Sequence, residues 1–132
     1  MVELSTHTPP NYTGIFVYKN SIEPDFCKKL IKLYNDHKNT PLLLKEDYGD
    51  GYNVKCNYIE TRFFPDIDSK LVNVIYKILV RAIHDNPHLR CREDSGYALR
   101  EVYGETRLHI DSVIDPIKAG KARTASIIIA LN

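Results

Sequence analysis

The sequence predicts an α+β fold in which two amphipathic helices precede a series of antiparallel strands. Apolar residues recur at helical spacing in the first two thirds of the 132-residue chain, and they alternate or form β-branched runs after Pro87. The length and the 43% hydrophobic content suit one domain with one core. We divide this single domain, residues 1–132, into an extended lead-in (1–13), a helical support (14–90) and the first strands of a sheet core (91–132).

The support begins with a short predicted strand, GIFVY, at residues 14–18. A helix follows, for which Ser21 is the expected cap and Pro24 suits the first turn. We expect this helix to end near His37, before an Asn-Thr-Pro break. Its apolar positions recur at helical spacing: Phe26, Leu30, Ile31 and Tyr34.

Residues 40–66 are rich in Gly, Asp and Tyr and form a variable loop, either an irregular connector or a wall of a binding cleft. Within them, residues 55–59 predict a strand. A second helix is predicted at 66–84, because one apolar stripe of core-packing character runs along it. The stripe comprises Leu71, Val74, Ile75, Ile78, Leu79 and Ala82.

Three stretches of strand character follow. YALREVY (97–103) alternates, with Tyr97, Leu99, Glu101 and Tyr103 on one side. RLHIDSV (107–113) comes next. RTASIIIALN (123–132) contains a β-branched run that suits a buried strand.

Charge and cysteine content exclude several classes of protein. A net charge of +1 and a pI near 7.7 argue against binding to nucleic acid or to an anionic membrane, and favour a small molecule or a peptide. Cys27, Cys56 and Cys91 are odd in number and widely spaced, which indicates reduced thiols. No signal peptide is recognisable, and the longest apolar run (127–131) is too short to cross a bilayer, so we expect a cytoplasmic protein.

His109 and Asp111 are the candidate metal ligands. On a strand, residues two apart point to the same side, so an imidazole nitrogen and a carboxylate oxygen would face one spot. Two histidines and one carboxylate on one octahedral face suit non-haem Fe(II). An H-x-D tripeptide nevertheless arises by chance in roughly four of ten chains of this composition, so a strand-end aspartate beside a satisfied histidine is the simpler interpretation of the tripeptide alone.

The order of the motifs favours the metal site. SIEPDFCKKLIKLY (21–34), a long second helix, LREVYGETRLHIDSV (99–113) and RTASIIIALN (123–132) together resemble the prolyl-4-hydroxylase-like branch of the 2-oxoglutarate/Fe(II) dioxygenases. In that family a Tyr-Gly stretch leads into H-x-D, and a strand that starts with Arg and ends in Leu-Asn follows. The resemblance covers nearly the whole chain and is most specific at 97–132.

The resemblance implies a double-stranded β-helix, or jelly-roll, with N-terminal packing helices and with about half of its barrel strands in this chain. It implies that His109 and Asp111 are two of three iron ligands, with 2-oxoglutarate as co-substrate and ascorbate as an optional further cofactor. Tyr103 falls where the family places a tyrosine near the co-substrate. Ser126 stands where a threonine lines the 2-oxoglutarate pocket, with Ile128 as its inward neighbour; a tolerated small residue is an equal interpretation of Ser126.

The implied reaction is hydroxylation of a substrate, most closely a prolyl residue in a peptide or protein. Tyr52 and Tyr58, in the 40–66 segment, are candidates for the wall that receives an extended peptide. Arg107 shares a strand face with His109 and is a further candidate for substrate contact, although a surface salt bridge suits it equally. The substrate rests on analogy with the family alone.

The sequence departs from the family in three respects. Ala130 replaces a common tyrosine, the turn GETR (104–107) is short, and no histidine follows Asp111 to serve as third ligand. His84 and His88 are poor substitutes because both lie near the end of the second helix. We therefore expect a fragment of a longer protein; completion by a second chain or homo-oligomer, or a decayed relative acting as a non-catalytic interaction module, are the alternatives.

Overall fold

The computed structural model describes residues 15–47, 55–89, 91, 94–104 and 126–132. Within these ranges the chain forms two helices, one 3-10 turn and one three-stranded antiparallel sheet, which confirms the α+β class. The elements in chain order are α1 (Pro24–His37), β1 (Leu44–Asp47), β2 (Lys55–Glu60), the 3-10 turn (Thr61–Phe63), α2 (Pro65–Asp85) and β3 (Ala98–Val102).

Helix α1 starts with Pro24 in its first turn and ends at His37, as predicted. The predicted cap is wrong. Ser21 donates its hydroxyl to the carbonyl of Tyr18, 2.8 Å away, and Glu23 occupies the N-cap position without a side-chain hydrogen bond. The Ser21 hydroxyl therefore stabilises the turn before the helix instead of the first helical amides.

The strand predicted at 14–18 is also wrong within the described part, because residues 15–18 have no regular structure. The side chains of Ile15 and Val17 are exposed. Tyr18 is tied to the end of α2, since its hydroxyl donates to the Asp85 carboxylate at 3.3 Å. Residues 15–18 are thus held by the side-chain contact of Tyr18 and do not join the sheet.

Helix α2 extends one residue beyond the predicted range at each end. Its buried positions follow one helical face: Leu71, Ile75, Ile78 and Ala82. Val74 and Leu79, the other members of the predicted stripe, are half-buried. The helix therefore packs through the face that its periodicity predicted, and an exposed row, Val72, Tyr76 and Val80, lies along its outer side.

The sheet has the order β1-β2-β3 with β2 in the centre. Leu44 pairs with Tyr58 and Glu46 with Cys56 in one ladder, and Tyr58 pairs with Arg100 in the other. Strand β2 confirms the prediction at 55–59. Strand β1 was not predicted, because its sequence LKED carries only one apolar residue and no alternation of apolar with polar residues. Its pairing with β2 makes it a strand.

One face of the sheet is covered by the helices. The buried cluster joins α1, α2, β2 and β3 through Leu30, Tyr34, Leu71, Ile59 and Leu99. Burying each of these large side chains stabilises the fold by about 1.5–3 kcal/mol. The core therefore lies between the helix pair and the side of the sheet that carries Ile59 and Leu99.

The segment 126–132 does not form the buried strand that its sequence predicted. It has no strand pairing, and Ile128 exposes 92% of its surface, although Leu131 packs against the core cluster. A β-branched run favours a strand only where a neighbouring strand receives it. The described residues supply no such neighbour to this segment, so intrinsic propensity alone does not order it as sheet.

A fully buried threonine joins the sheet to α2. The Thr61 hydroxyl donates to the Asp68 carboxylate at 2.6 Å and lies 3.3 Å from the carbonyl of Tyr97, which also accepts the Thr61 amide at 3.0 Å. Asp68 lies in the first turn of α2, where a carboxylate is favoured by the helix dipole. Thr61 therefore fixes the start of α2 against the residue that precedes β3.

We predict that Thr61→Val lowers the free energy of unfolding by about 1–3 kcal/mol, because it leaves the half-buried Asp68 carboxylate without this donor. Thr61→Ser keeps the hydroxyl and is the matched control, with a loss smaller than that of the valine variant. Urea unfolding followed by circular dichroism measures both. Equal losses in the two variants would show that the methyl group, and not the hydrogen bond, is what stabilises this junction.

Candidate functional site

The predicted iron ligands lie outside the described residues. These ligands are His109 and Asp111. The candidate substrate contacts Arg107 and Tyr52 also lie outside the described residues. Their roles therefore stay predictions from the sequence. The structure does describe the strand that leads towards them and four other candidates: Tyr58, Tyr103, Ser126 and Ile128.

Tyr103 and Gly104 form the exit from β3 towards the H-x-D motif. The amide of Tyr103 donates to the carbonyl of Lys55 at 3.0 Å, which continues the β2–β3 ladder by one residue. The Tyr103 side chain is 54% exposed. Alternation from Leu99 places it on the side of the sheet that the helices cover, at the end of the strand.

Gly104 is required at this exit by close approach. A Cβ atom built on Gly104 would stand 2.6 Å from the Cβ of Lys55, a distance that real Cβ atoms do not tolerate. The obstructing atom is next to the backbone of β2 and cannot rotate away as a side-chain terminus would. The Tyr-Gly pair that the sequence analysis singled out therefore has a packing reason in this chain, independent of any metal.

Ser126 and Ile128 lie in the segment without strand pairing. Both are exposed, and Ile128 projects almost wholly into solvent. Neither residue belongs to a strand of the three-stranded sheet. Their assignment to a co-substrate pocket stays a prediction.

Tyr58 belongs to a side-chain cluster on the face of the sheet opposite the helices, and the sequence analysis missed its other members. Arg100 donates through Nη1 to Glu46 Oε2 at 2.5 Å and lies 3.5 Å from Cys56 Sγ. Its guanidinium carbon stands 5.1 Å from the centre of the Tyr58 ring, within range of a cation–π interaction. The signal for the cluster is the cross-strand register, which brings together residues from all three strands.

Cys56 is the buried centre of this cluster. Its thiol is 1% exposed and donates to Glu46 Oε2 at 3.3 Å. Burial raises the pKa of the thiol, and the hydrogen bond and charge of Glu46 raise it further, whereas Arg100 opposes them. Cys56 is therefore held as a neutral thiol and is not an activated nucleophile.

Glu46 also raises the pKa of Arg100. Burial lowers the pKa of the guanidinium, but the hydrogen bond and charge of Glu46 outweigh it, so the pKa is raised. The guanidinium therefore keeps its positive charge beside Glu46. Arg100 is also fixed in one orientation by the Glu46 bond, the Cys56 sulfur and the Tyr58 ring, which is a preorganised presentation of a planar donor group.

On the helix-covered side of the sheet, Tyr34 and Tyr97 have raised pKa values. Burial is the main cause for both, followed by the charge of Glu101 for Tyr34 and the hydrogen bond to Asp94 for Tyr97. The Tyr97 hydroxyl donates to Asp94 at 2.5 Å. The Tyr97 phenol therefore acts as a protonated donor next to the start of β3.

The part of the chain that the structure describes contains no group of three or more His, Cys, Asp or Glu side chains arranged to hold a metal ion. The same residues include no helix with the length and apolar character needed to cross a membrane.

Comparison with known proteins gives no assignment. No protein-family model, curated protein or solved structure matches the chain.

We predict that Gly104→Ala lowers the free energy of unfolding by about 1–3 kcal/mol, because the added methyl overpacks the contact with Lys55. A double-mutant cycle with Lys55→Gly, which removes the obstructing Cβ, tests the cause. The alanine should cost clearly less in the Lys55→Gly background. An undiminished cost there would place the clash elsewhere.

A second prediction concerns pH. Because the fold raises the pKa of Cys56 above its unfolded value, its contribution to stability is complete below about pH 8.5–9 and is lost as the pH rises through the folded-state pKa. The stability advantage of the wild type over Cys56→Ala should therefore shrink between about pH 7 and about pH 10. Urea unfolding at the two pH values measures this difference; an advantage that grows with pH would contradict it.

Proposed function

We propose that this chain belongs to an Fe(II)- and 2-oxoglutarate-dependent oxygenase that hydroxylates a substrate, most closely a prolyl residue in a peptide or protein. The observation that carries the proposal is the order of its motifs. Two helices precede β3, Tyr103-Gly104 follows that strand directly, and His109 and Asp111 come within seven residues of the glycine. We further propose a jelly-roll for the intact fold and a cytoplasmic location.

The two ligands that this chain offers, His109 and Asp111, are of types that bind Fe(II). A neutral imidazole and a carboxylate are two of the three ligands of a facial triad, and a second histidine from outside this chain would complete it. When bound, iron and 2-oxoglutarate supply the activation of dioxygen that ends in a hydroxylated substrate, succinate and CO2. Ascorbate would serve to keep the iron reduced.

The chain's own residues would orient the reactants. Strand β3 is held at both ends. The carbonyl of Tyr97, just before the strand, accepts the amide of Thr61, and the amide of Tyr103, just after it, donates to the carbonyl of Lys55. A metal ligand needs such support because its position must be held by the surrounding shell. Tyr103 and Ser126 would offer hydroxyl groups to the co-substrate, with Ile128 as the neighbour of Ser126, and Arg107, Tyr52 and Tyr58 would contact the substrate. Within the described sheet, Tyr58 and Tyr103 face opposite sides, so these two assignments do not share one sheet face.

A non-catalytic interaction module is the second candidate function. The observation that favours it is the absence of any histidine after Asp111 in this sequence, so the chain alone offers an incomplete ligand set. In that case a second chain, either another copy or a completing partner, would bind the exposed sheet without iron chemistry.

The test is a ligand-induced shift in thermal unfolding. For the protein expressed from its complete reading frame, anaerobic Fe(II) with 2-oxoglutarate at about 100 times its Kd should stabilise the fold by about 2.7 kcal/mol, seen as a rise of several degrees in Tm. His109→Ala should abolish the rise. His88→Ala, which removes an exposed histidine after α2, is the matched control and should retain it.

A wild-type protein that shows no shift, and that releases no succinate from 2-oxoglutarate, would contradict the oxygenase proposal and leave the interaction module. A shift that persists in His109→Ala would contradict the assignment of the ligand. The comparison of the two histidine variants separates these outcomes, because both lose an imidazole but only one belongs to the H-x-D motif.

A further inference from the structure

The outer side of α2 carries a continuous row of exposed apolar side chains. Val72, Tyr76 and Val80 are 41%, 66% and 48% exposed. Residues four apart on a helix are neighbours on its surface, so these three side chains form one stripe, which we call the α2 stripe. Single exposed apolar residues are common, but a continuous row of them is typical of a contact surface. The core uses a different face of the same helix, formed by Leu71, Ile75, Ile78 and Ala82.

The α2 stripe is symmetric about Tyr76. Val72 stands four residues before Tyr76 and Val80 four residues after it. A two-fold axis beside Tyr76 therefore places Val72 of one copy against Val80 of a second copy, and it brings the two Tyr76 rings together. A contact between identical copies requires such a self-complementary surface, and a tyrosine at its centre contributes a large apolar area. The spacing therefore favours a second copy of α2, in antiparallel orientation, as the occupant of the stripe.

Two charged or polar residues beside the stripe fit the same orientation. Asp66 lies in the first turn of α2 and His84 in the last, and both are exposed. At 3.6 residues per turn they fall on one flank of the stripe. In an antiparallel pair each Asp66 carboxylate comes to the level of His84 in the other copy, whereas in a parallel pair it would meet a second Asp66. His84 contacts its own Asp85 through Nδ1, so Nε2 is the atom that would face the partner's carboxylate.

The remaining polar residues of this flank do not oppose the arrangement. They are exposed, and antiparallel packing brings only Lys77 near its own equivalent. The Lys77 side chain is long, and its ammonium can turn into solvent, where salt screens the repulsion. The helix dipoles also favour the antiparallel pair, because each positive end lies beside a negative end. The flank comprises Asp66, Lys70, Asn73, Lys77 and His84.

We propose that the α2 stripe is the interface of an isologous dimer in which the α2 helices of two copies pack antiparallel and cross at Tyr76. A contact made by one helix from each copy is small, so the dimer is weak and exchanges with the monomer. The interface is independent of the proposed function, because no residue of the stripe is a candidate contact of iron, co-substrate or substrate.

The first experiment measures the monomer–dimer equilibrium by sedimentation velocity, with the protein expressed from its complete reading frame. The share of dimer should rise with concentration. Tyr76→Glu places two carboxylates face to face at the axis and should raise the Kd roughly tenfold or more, and Val80→Glu should also raise it. Val102→Glu is the matched control for Val80→Glu. Val102 is 62% exposed but belongs to β3, so its substitution should leave the Kd unchanged.

The second experiment tests the orientation by disulfide formation between introduced cysteines under copper-phenanthroline oxidation. Tyr76→Cys should crosslink with itself, because the axis brings residue 76 of both copies together. Val72→Cys and Val80→Cys should each crosslink poorly alone, since eight residues of helix separate each from its equivalent by roughly 12 Å, but well when mixed. Lys70→Cys, exposed on the same helix outside the stripe, is the control. The wild type gives the background from Cys27, Cys56 and Cys91.

A protein that stays monomeric at every concentration, or a dimer with an unchanged Kd in Tyr76→Glu, would overturn the proposal. Efficient crosslinking of Val72→Cys with itself would do the same, because it would show a parallel pair. Assembly that continues beyond the dimer would also contradict it, since an isologous contact closes on itself. None of these outcomes bears on the response to Fe(II) and 2-oxoglutarate, so the dimer and the oxygenase are tested separately.

Discussion

The described structure depends on the central strand β2, which is paired on both edges and has one fully buried residue on each face, Cys56 and Ile59. Ile59 faces the helices and anchors the core, whereas Cys56 faces the other way beneath the pair of Glu46 and Arg100. The same strand passes directly into the 3-10 turn and α2 through Thr61. Both faces of the sheet and the direction of the longer helix are therefore set by six consecutive residues and the residue that follows them.

Periodicity in the sequence was sufficient to predict the helices, because a helix forms its backbone hydrogen bonds within its own segment. The helices α1 and α2 were located within one residue at most ends, because apolar residues recur at helical spacing along helices of about four and about six turns. In their described parts, the strands predicted at 14–18 and 123–132 were wrong for the opposite reason. A strand is stable only when paired, and a β-branched composition does not say whether a partner strand is present. Leu44–Asp47 shows the converse, since pairing alone makes a strand of three charged residues and one leucine.

The candidate site divides in the same way. His109 and Asp111 were identified from a local spacing, and that spacing stays the ground for the metal proposal. Glu46 and Arg100 were not identified, because their contact depends on register across three strands and 54 residues of chain. Tyr58 was chosen for its residue type, and the structure gives it a specific neighbour. Cross-strand geometry of this kind is a tertiary property that no short window of sequence contains.

The spacing of contacts along the chain also has a kinetic consequence. The Glu46–Cys56 contact joins residues 10 apart, whereas the Arg100–Cys56 contact joins residues 44 apart. Closing the longer loop costs more chain entropy, but α2 occupies much of it and forms from local contacts. We expect the β1–β2 hairpin and α2 to form early and the docking of β3 to limit the folding rate. The strand that leads to the H-x-D motif would then be the last to take its place.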